Sequence, residues 1–338
     1  MGSSQLQHYL PQTYLKGFST PTDEVWRFDR SSRTLKPLRP AVIGAENDLY
    51  SIVDANGISQ NLESQWFSPL DSTFAPLLQK LQLAAELSAH EMYQLAMFTA
   101  YMRVRTPASI REAELRLRQI DSHLGVPRDS VRYHSKDPNP SGNREERFVL
   151  TKEQSEEIPT ARGNACDRND ALQLLISTGK DLARALLNLD WTLLVAPNGR
   201  SFIAADSPFM TIPPALHDVD LEGVGPLTPG AITFMPLSAS LCMRFANVEP
   251  QGLSRRQLDG AAVRSLNTCQ VLNSERFVYS PSESLLRKLT ASLHSDDLNL
   301  DVVVTREARS TSQPTRSLLH TFTRSNISSE WASRISIG

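Results

Sequence analysis

Residues 202–208 read FIAADSP, an apolar stretch that ends in a carboxylate, a hydroxyl and a proline. A stiff strand that ends at Asp206 would hold the carboxylate at a fixed position, as a catalytic or metal-binding group requires. With an imidazole or a second carboxylate close by, it would suit a hard divalent cation. The alternative is a turn, because an aspartate before Ser-Pro can accept backbone N–H groups two residues further on.

Two further side chains have chemistry that suits an active site. His8 lies in HYLPQ, before a helix that could start at Pro11, and an imidazole exchanges protons near neutral pH. Arg105 follows an apolar helix, and its planar guanidinium suits phosphate or carboxylate. Both residues also have structural interpretations: His8 could tie the N-terminal segment to the fold, and a cation suits the C-terminal end of a helix.

The composition is that of a globular protein, with 338 residues, 40% of them hydrophobic, and a net charge of −2. No global basic field exists to drive sequence-independent binding of nucleic acid, although a local patch could bind it. Without a run of 18 apolar residues or a basic N-terminal region, we expect a soluble, cytoplasmic protein with no membrane partner. Cys166, Cys242 and Cys269 lack zinc or disulfide spacing, and the last two are expected in the core.

Local patterns predict the elements that must position these residues. Strands are predicted at 25–29 (VWRFD) and 48–54 (DLYSIVD). Ser88 and Glu91 form a capping box that starts a helix, and Thr106-Pro107 ends this helix and starts the next. The chain then turns polar from about 125 to 170, which predicts a long loop or insertion. A leucine-rich helix follows.

The later half is rich in strand patterns. The strongest hairpin signal joins 191–196 and 201–205 through the turn PNGR, and 231–236 with 240–246 predicts a second strand pair. LNTCQVLN predicts a helix, whereas FVYS and LDVVV predict strands. The fold class is α+β: a helical middle region packs with a mainly antiparallel sheet of late strands joined by the N-terminal ones. We expect one domain over 1–307 and a polar tail over 308–338.

Eight blocks of sequence, taken in order, resemble the family of domain of unknown function 4238 over about residues 6–285. They are HYLPQTYLKGF, VWRFDR, ENDLYS, MRVRTP, WTLL, FIAADSP, FMPLSASLCMRF and LNTCQVLNSERFVYS. The resemblance implies positions, not a reaction, because the family has no assigned activity. The polar positions that it matches are His8, Gln12, Tyr50, Glu63, Arg105, Asp206, Ser207 and Asn267.

The chain departs from the family pattern at two places. The family reads more like S-D-N-P where this chain has Ala205-Asp206-Ser207-Pro208, and it often carries a second acid after Glu63, where this chain has Trp66. If either group were needed for chemistry, this member would be altered or inactive.

Two hypotheses follow. The first is a metal-assisted nuclease or other phosphoester hydrolase, such as a defence or toxin effector, acting on nucleic acid or a phosphorylated small molecule. Its catalytic residues would be His8, Glu63, Arg105 and Asp206, with Asp206 and Glu63 holding Mg²⁺ or Mn²⁺. Gln12, Tyr50, Ser207 and Asn267 would bind the ligand.

The second hypothesis is a non-catalytic binding or interaction protein, in which the same residues form a buried polar network that fixes the packing. Signatures of P-loop kinases, Rossmann dehydrogenases, α/β-hydrolases, zincins and nucleobase deaminases are absent from the sequence.

Overall fold

The computed structural model describes residues 5–54, 57–59, 62–124, 164–212, 225–248 and 252–291. These residues form an α+β fold, as predicted, with seven α-helices and four sheets. Most of the predicted insertion, the LDVVV segment and the C-terminal tail lie outside the described residues.

The late strands form a five-stranded sheet in the order β12-β7-β11-β10-β9. Its strands are β7 (Asp190–Val195), β9 (Met210–Ile212), β10 (Ile232–Pro236), β11 (Leu241–Ala246) and β12 (Leu253–Gln257). The predicted pairing of β10 with β11 is confirmed, with Met235 opposite Met243. Only the pairing of β12 with β7 is parallel in this sheet.

The N-terminal strands belong to a second, four-stranded antiparallel sheet in the order β3-β2-β13-β8. Its strands are β2 (Val25–Asp29), β3 (Thr34–Leu38), β8 (Ala204–Ala205) and β13 (Phe277–Ser280). Two small sheets pair β1 (Leu6–His8) with β4 (Ala45–Asn47) and β5 (Ile52–Asp54) with β6 (Gly57–Ser59). The strand predicted at 48–54 therefore begins only at Ile52, after a turn.

The helices are α1 (Gln12–Lys16), α2 (Ser68–Gln82), α3 (Ala89–Val104), α4 (Pro107–Leu124), α5 (Asn164–Leu187), α6 (Gly260–Asn273) and α7 (Glu283–Thr290). The capping box at the start of α3 is confirmed, as is the helix predicted for LNTCQVLN, which lies in α6. No helix within the described residues is long and apolar enough to cross a lipid bilayer.

The predicted end of the polar insertion at 170 is wrong, because α5 already begins at Asn164. Arg168, near the start of α5, joins this polar part of the helix to other elements. Arg168 lies 3.1 Å from the Glu114 carboxylate on α4 and donates to the Leu49 carbonyl at 2.6 Å.

The predicted hairpin of 191–196 with 201–205 is also wrong. The turn itself forms, since Arg200 N–H donates to the Pro197 carbonyl at 3.0 Å. After it, Phe202 N–H donates to the Ala239 carbonyl at 2.8 Å, and the chain leaves for the other sheet, where β8 pairs with β13. β7 pairs instead with β11 and β12. Asp206 thus follows a strand of the four-stranded sheet.

A shared hydrophobic core joins the N-terminal segment, the helices α2, α3 and α5, and both larger sheets. Phe74 of α2 and Phe98 of α3 stack with ring centroids 4.1 Å apart, and Tyr14 of α1 contacts both rings. The Tyr14 hydroxyl donates to the Pro236 carbonyl at 2.9 Å. These contacts hold the N-terminal segment against the helices that carry Arg105.

Gly44 fixes the path of the chain next to His8. Its carbonyl accepts the N–H groups of Tyr9 and Leu10 at 2.8 and 3.0 Å. Its φ is +65°, and a Cβ at this position would lie 2.8 Å from the Cβ of Leu10. Only glycine satisfies both conditions without a shift of the backbone.

Candidate functional site

Arg105, the C-cap of α3, is the centre of a buried group of polar residues. Its Nη1 and Nη2 donate to the two carboxylate oxygens of Asp71 at 2.6 and 3.0 Å, and Nη2 also donates to the His8 carbonyl at 2.7 Å. Its side chain is wholly buried, while that of Asp71 is 17% exposed. Burial, the largest single effect, would lower the pKa of Arg105, but the charge and hydrogen bonds of Asp71, with Tyr50 and Glu63, together outweigh it and raise this pKa.

Tyr50 and Phe67 enclose this guanidinium. The Tyr50 hydroxyl donates to the Arg105 carbonyl at 2.8 Å, and its backbone N–H donates to the Gln7 side-chain oxygen. Burial raises the pKa of Tyr50 well above its ordinary value, so this phenol stays neutral. The Arg105 Cζ lies 4.9 Å from the centre of the Phe67 ring, a cation–π contact.

The free space beside Arg105 is very small. A cavity of about 10 Å³ is lined by Arg105, Tyr50, Phe67, Tyr101 and apolar residues of α4 and α5. This volume is at the lower limit for a single water molecule. This cavity, as the described residues form it, has no room for a substrate.

His8 and Glu63 lie at the edge of the same group and are half-buried. Burial lowers the pKa of His8 from 6.5, so its imidazole is neutral at pH 7, with Nε2 3.3 Å from the Ala41 carbonyl. Glu63 starts a π-helical turn, Glu63–Phe67, that leads into α2. Burial raises the pKa of Glu63, against the opposing charge of Arg105, and its Oε2 has no hydrogen-bond partner among the described residues. His8, Glu63, Asp71 and Arg105 together are named the Arg105 cluster.

Asp206 belongs to a different hydrogen-bonding network, at the start of β13. Its Oδ1 accepts the N–H of Glu275 at 2.8 Å, and its Oδ2 accepts those of Arg276 and Phe277 at 2.6 and 2.8 Å. The residue is only 5% exposed. The carboxylate thus accepts backbone N–H groups, as the turn interpretation holds. The partners, however, come from another strand and not from two residues further on.

The residues predicted to bind a ligand are also spread over the fold. Asn267 of α6 bridges the chain after the PNGR turn: its Nδ2 donates to the Ser201 carbonyl at 2.8 Å and its Oδ1 accepts the Ile203 N–H at 3.1 Å. The Ser207 carbonyl accepts from Gln270 and Asn273 at 3.2 and 2.7 Å. Gln12 is exposed at the start of α1.

The described residues contain no group of three or more His, Cys, Asp or Glu side chains that could hold a metal ion. The two predicted metal ligands, Asp206 and Glu63, lie in separate networks. Asp71, which binds Arg105 with both oxygens, was missed by the sequence analysis. A carboxylate in the first turn of a helix was its only signal.

A second candidate site lies between α2, with its preceding π-helical turn, and α3. This concave surface, named the aromatic groove, has a volume of about 290 Å³. Its lining consists of aromatic and apolar side chains with a few polar ones: Gln65, Trp66, Pro69, Leu70, Thr73, His90, Tyr93, Gln94, Met97 and Tyr101. The sequence analysis missed it, although Tyr93, Met97 and Tyr101 lie four residues apart on one face of α3.

Comparison with known proteins identifies the family. A family model described as "Protein of unknown function (DUF4238)" matches residues 6–284. Neither the curated proteins nor the solved structures gave a match. The match covers most of the chain and confirms the resemblance that the eight blocks indicated. This protein therefore belongs to the DUF4238 family.

Proposed function

We propose that this protein is a non-catalytic binding protein in which the family-matched side chains of Arg105, Asp206 and Asn267 hold the fold together. The observation that supports this most directly is the environment of the predicted catalytic groups. Asp206 uses both carboxylate oxygens to accept three backbone N–H groups. Arg105 is enclosed and uses both Nη atoms on Asp71 and the His8 carbonyl. Groups engaged in this way stabilise the fold.

The positions of these networks also favour an architectural role. The Arg105 cluster connects β1, the π-helical turn, α2 and the end of α3, which are far apart in the sequence. Asp206 connects the end of β8 to the start of β13. Asn267 connects α6 to residues 201–203. Each network joins segments whose orientation relative to one another the apolar core alone would fix less tightly.

A cleavage assay tests this proposal. Purified protein is incubated with single- and double-stranded RNA and DNA and with a chromogenic phosphodiester, in the presence of Mg²⁺, Mn²⁺ or a chelator. We expect no metal-dependent cleavage by the wild type. Metal-dependent cleavage that is lost in a folded Asp206→Asn variant, but kept in Asp181→Asn, would overturn it. Asp181 is a suitable control because its side chain is 63% exposed and its one ion pair among the described residues is with the exposed Arg184 at 3.3 Å.

A phosphoester hydrolase, such as a nuclease effector, is the second candidate, favoured by His8 and Glu63, which are both half-buried and both interact with Arg105 and Asp71. A neutral imidazole can accept a proton, and a carboxylate with a raised pKa can donate one or bind Mg²⁺ or Mn²⁺. Glu63 would then need metal ligands other than Asp206, whose oxygens are already engaged. In the same assay, this candidate requires that Glu63→Gln abolishes cleavage without loss of folding.

Nucleic acid and phosphorylated small molecules remain the ligand classes of the hydrolase candidate. A cytoplasmic location is part of both proposals. It is supported by Cys242 and Cys269, which are free, buried thiols. Burial raises the pKa of Cys269 to about 11, so its unreactive thiol form dominates at neutral pH.

A further inference from the structure

The aromatic groove has the composition of a small-molecule site. Its volume of about 290 Å³ is close to the lower end of the range found for ligand pockets. Apolar walls with a few neutral hydrogen-bonding side chains are typical of such pockets. A volume of this size suits a molecule of one or two fused rings.

The aromatic side chains of the groove are placed for stacking. Tyr93 is 45% exposed, although it lies on the same face of α3 as the buried Tyr101. Trp66 lies beside Tyr101 with ring centroids 6.3 Å apart, and the Lys180 Nζ lies 4.5 Å from the Trp66 ring. These contacts fix the Trp66 ring. Ordered aromatic rings beside open space form a stacking surface for a flat ligand.

The polar side chains of the groove determine which flat ligand fits. Gln65 and Gln94 each offer a carboxamide that both donates and accepts, the arrangement that recognises the edge of a nucleobase. Thr73 and His90 add further hydrogen-bonding groups. No Asp, Glu, Lys or Arg side chain lines the groove within the part of the chain that the structure describes. A lining without these charged side chains complements an uncharged ligand, whereas a phosphodiester backbone would require several cations along its path and Lys180 beside Trp66 supplies a single one.

We propose that the aromatic groove binds an uncharged nucleoside, with its base stacked on Trp66 and Tyr93 and its edge hydrogen-bonded to Gln65 and Gln94. This inference rests on the proposed function, since it gives the binding protein a ligand class. The groove uses no residue of the Arg105 cluster or of the Asp206 network.

Titration of the full chain with adenosine, guanosine, cytidine and uridine, followed by calorimetry, tests the proposal. At least one nucleoside is expected to bind. Tyr93→Ala and Gln94→Ala should each weaken binding about tenfold or more, because a stacking or an edge contact is lost. Leu83→Ala is the matched control, since Leu83 is a 73% exposed apolar residue outside the groove, and it should leave affinity unchanged.

Three results would overturn the proposal: no binding of any nucleoside at millimolar concentration, equal affinity in Tyr93→Ala and Leu83→Ala, or tighter binding of an oligonucleotide than of its nucleoside. Unfolding curves of all variants show whether a loss of binding comes from a loss of folding. The cleavage assay separates this inference from the proposed function. If the protein neither cleaves nor binds a nucleoside, only the proposed ligand of the groove is rejected. If it shows metal-dependent cleavage that is lost in folded Asp206→Asn but kept in Asp181→Asn, the non-catalytic function is rejected.

Discussion

The Arg105 cluster and the aromatic groove lie on neighbouring parts of α2 and α3, yet the cluster buries a charged side chain whereas the groove exposes aromatic ones. The cluster buries a guanidinium completely beside a cavity of about 10 Å³. The groove leaves Tyr93 45% exposed beside a space of about 290 Å³. At these two places a charge lies inside the molecule and an aromatic ring lies at its surface, although most aromatic rings of the described residues are buried.

This difference distinguishes residues that stabilise the fold from residues that are open to a ligand. A buried charge needs a fixed partner, and Arg105 has one in Asp71. An exposed ring has no such need and gains stability when a ligand covers it. Arg105 and Asp206, which the sequence suggests as catalytic groups, are therefore buried and bound to fixed partners.

The largest effect is expected when the charge partner of Arg105 is removed. Asp71→Ala removes the carboxylate that is hydrogen-bonded to the enclosed guanidinium and should lower the free energy of unfolding by about 3–5 kcal/mol. Urea denaturation measures this, with Asp181→Ala as the control. Asp181 belongs to an exposed pair, for which a change of at most about 1 kcal/mol is expected. Equal, small losses of unfolding free energy in both variants would show that Asp71 stabilises the fold no more than an exposed ion pair does.

A smaller effect is expected from the backbone that carries His8. Gly44→Ala combines a φ of +65° with a contact of 2.8 Å to the Leu10 Cβ, and should lower stability by about 1–3 kcal/mol. Gly199→Ala separates backbone strain from steric contact, because Gly199 has a φ of +75° but a Cβ at this position would have no atom within 4 Å. It should lower stability by about 1 kcal/mol. A larger loss for Gly199→Ala would show that steric contact at Gly44 is unimportant.

The smallest expected change in the free energy of unfolding is that of Glu63→Gln, and it is a gain rather than a loss. Burial disfavours its charged form, so the folded pKa is above the ordinary value of 4.5. Stability is therefore lost as pH rises from below 4.5 through the folded pKa. Glu63→Gln should leave stability unchanged at low pH and raise it slightly at pH 7. Denaturation curves at both pH values check this, and a destabilised variant at pH 7 would assign Glu63 to the supporting network.

The sequence predicts features that depend on neighbouring residues. The capping box of Ser88 and Glu91 and the helix start at Pro107 follow from side chains within four positions, and both form as predicted. The hairpin signal around Asn198-Gly199 predicts the turn but not the pairing. The partner of Phe202 is the backbone of Ala239, which no local pattern reveals.

The candidate sites depend still more on distant partners. Asp71 and Arg105 are 34 residues apart, and the N–H groups that bind Asp206 are 69 to 71 residues away from it. Family positions identified Arg105 and Asp206 as special, but only their partners distinguish a structural group from a catalytic one. The aromatic groove requires the packing of α2 against α3, so the spacing of Tyr93 and Met97 alone would not predict an open surface.

The unfolding free energy of Asp206→Asn, compared with that of Asp181→Asn, tests the central claim most directly. The amide replaces one acceptor oxygen by a donor that faces a backbone N–H. Asp206→Asn should therefore lose about 1–3 kcal/mol, while Asp181→Asn loses little. An unchanged stability in Asp206→Asn, together with loss of a metal-dependent cleavage that the wild type performs, would contradict the account and make Asp206 part of an active site.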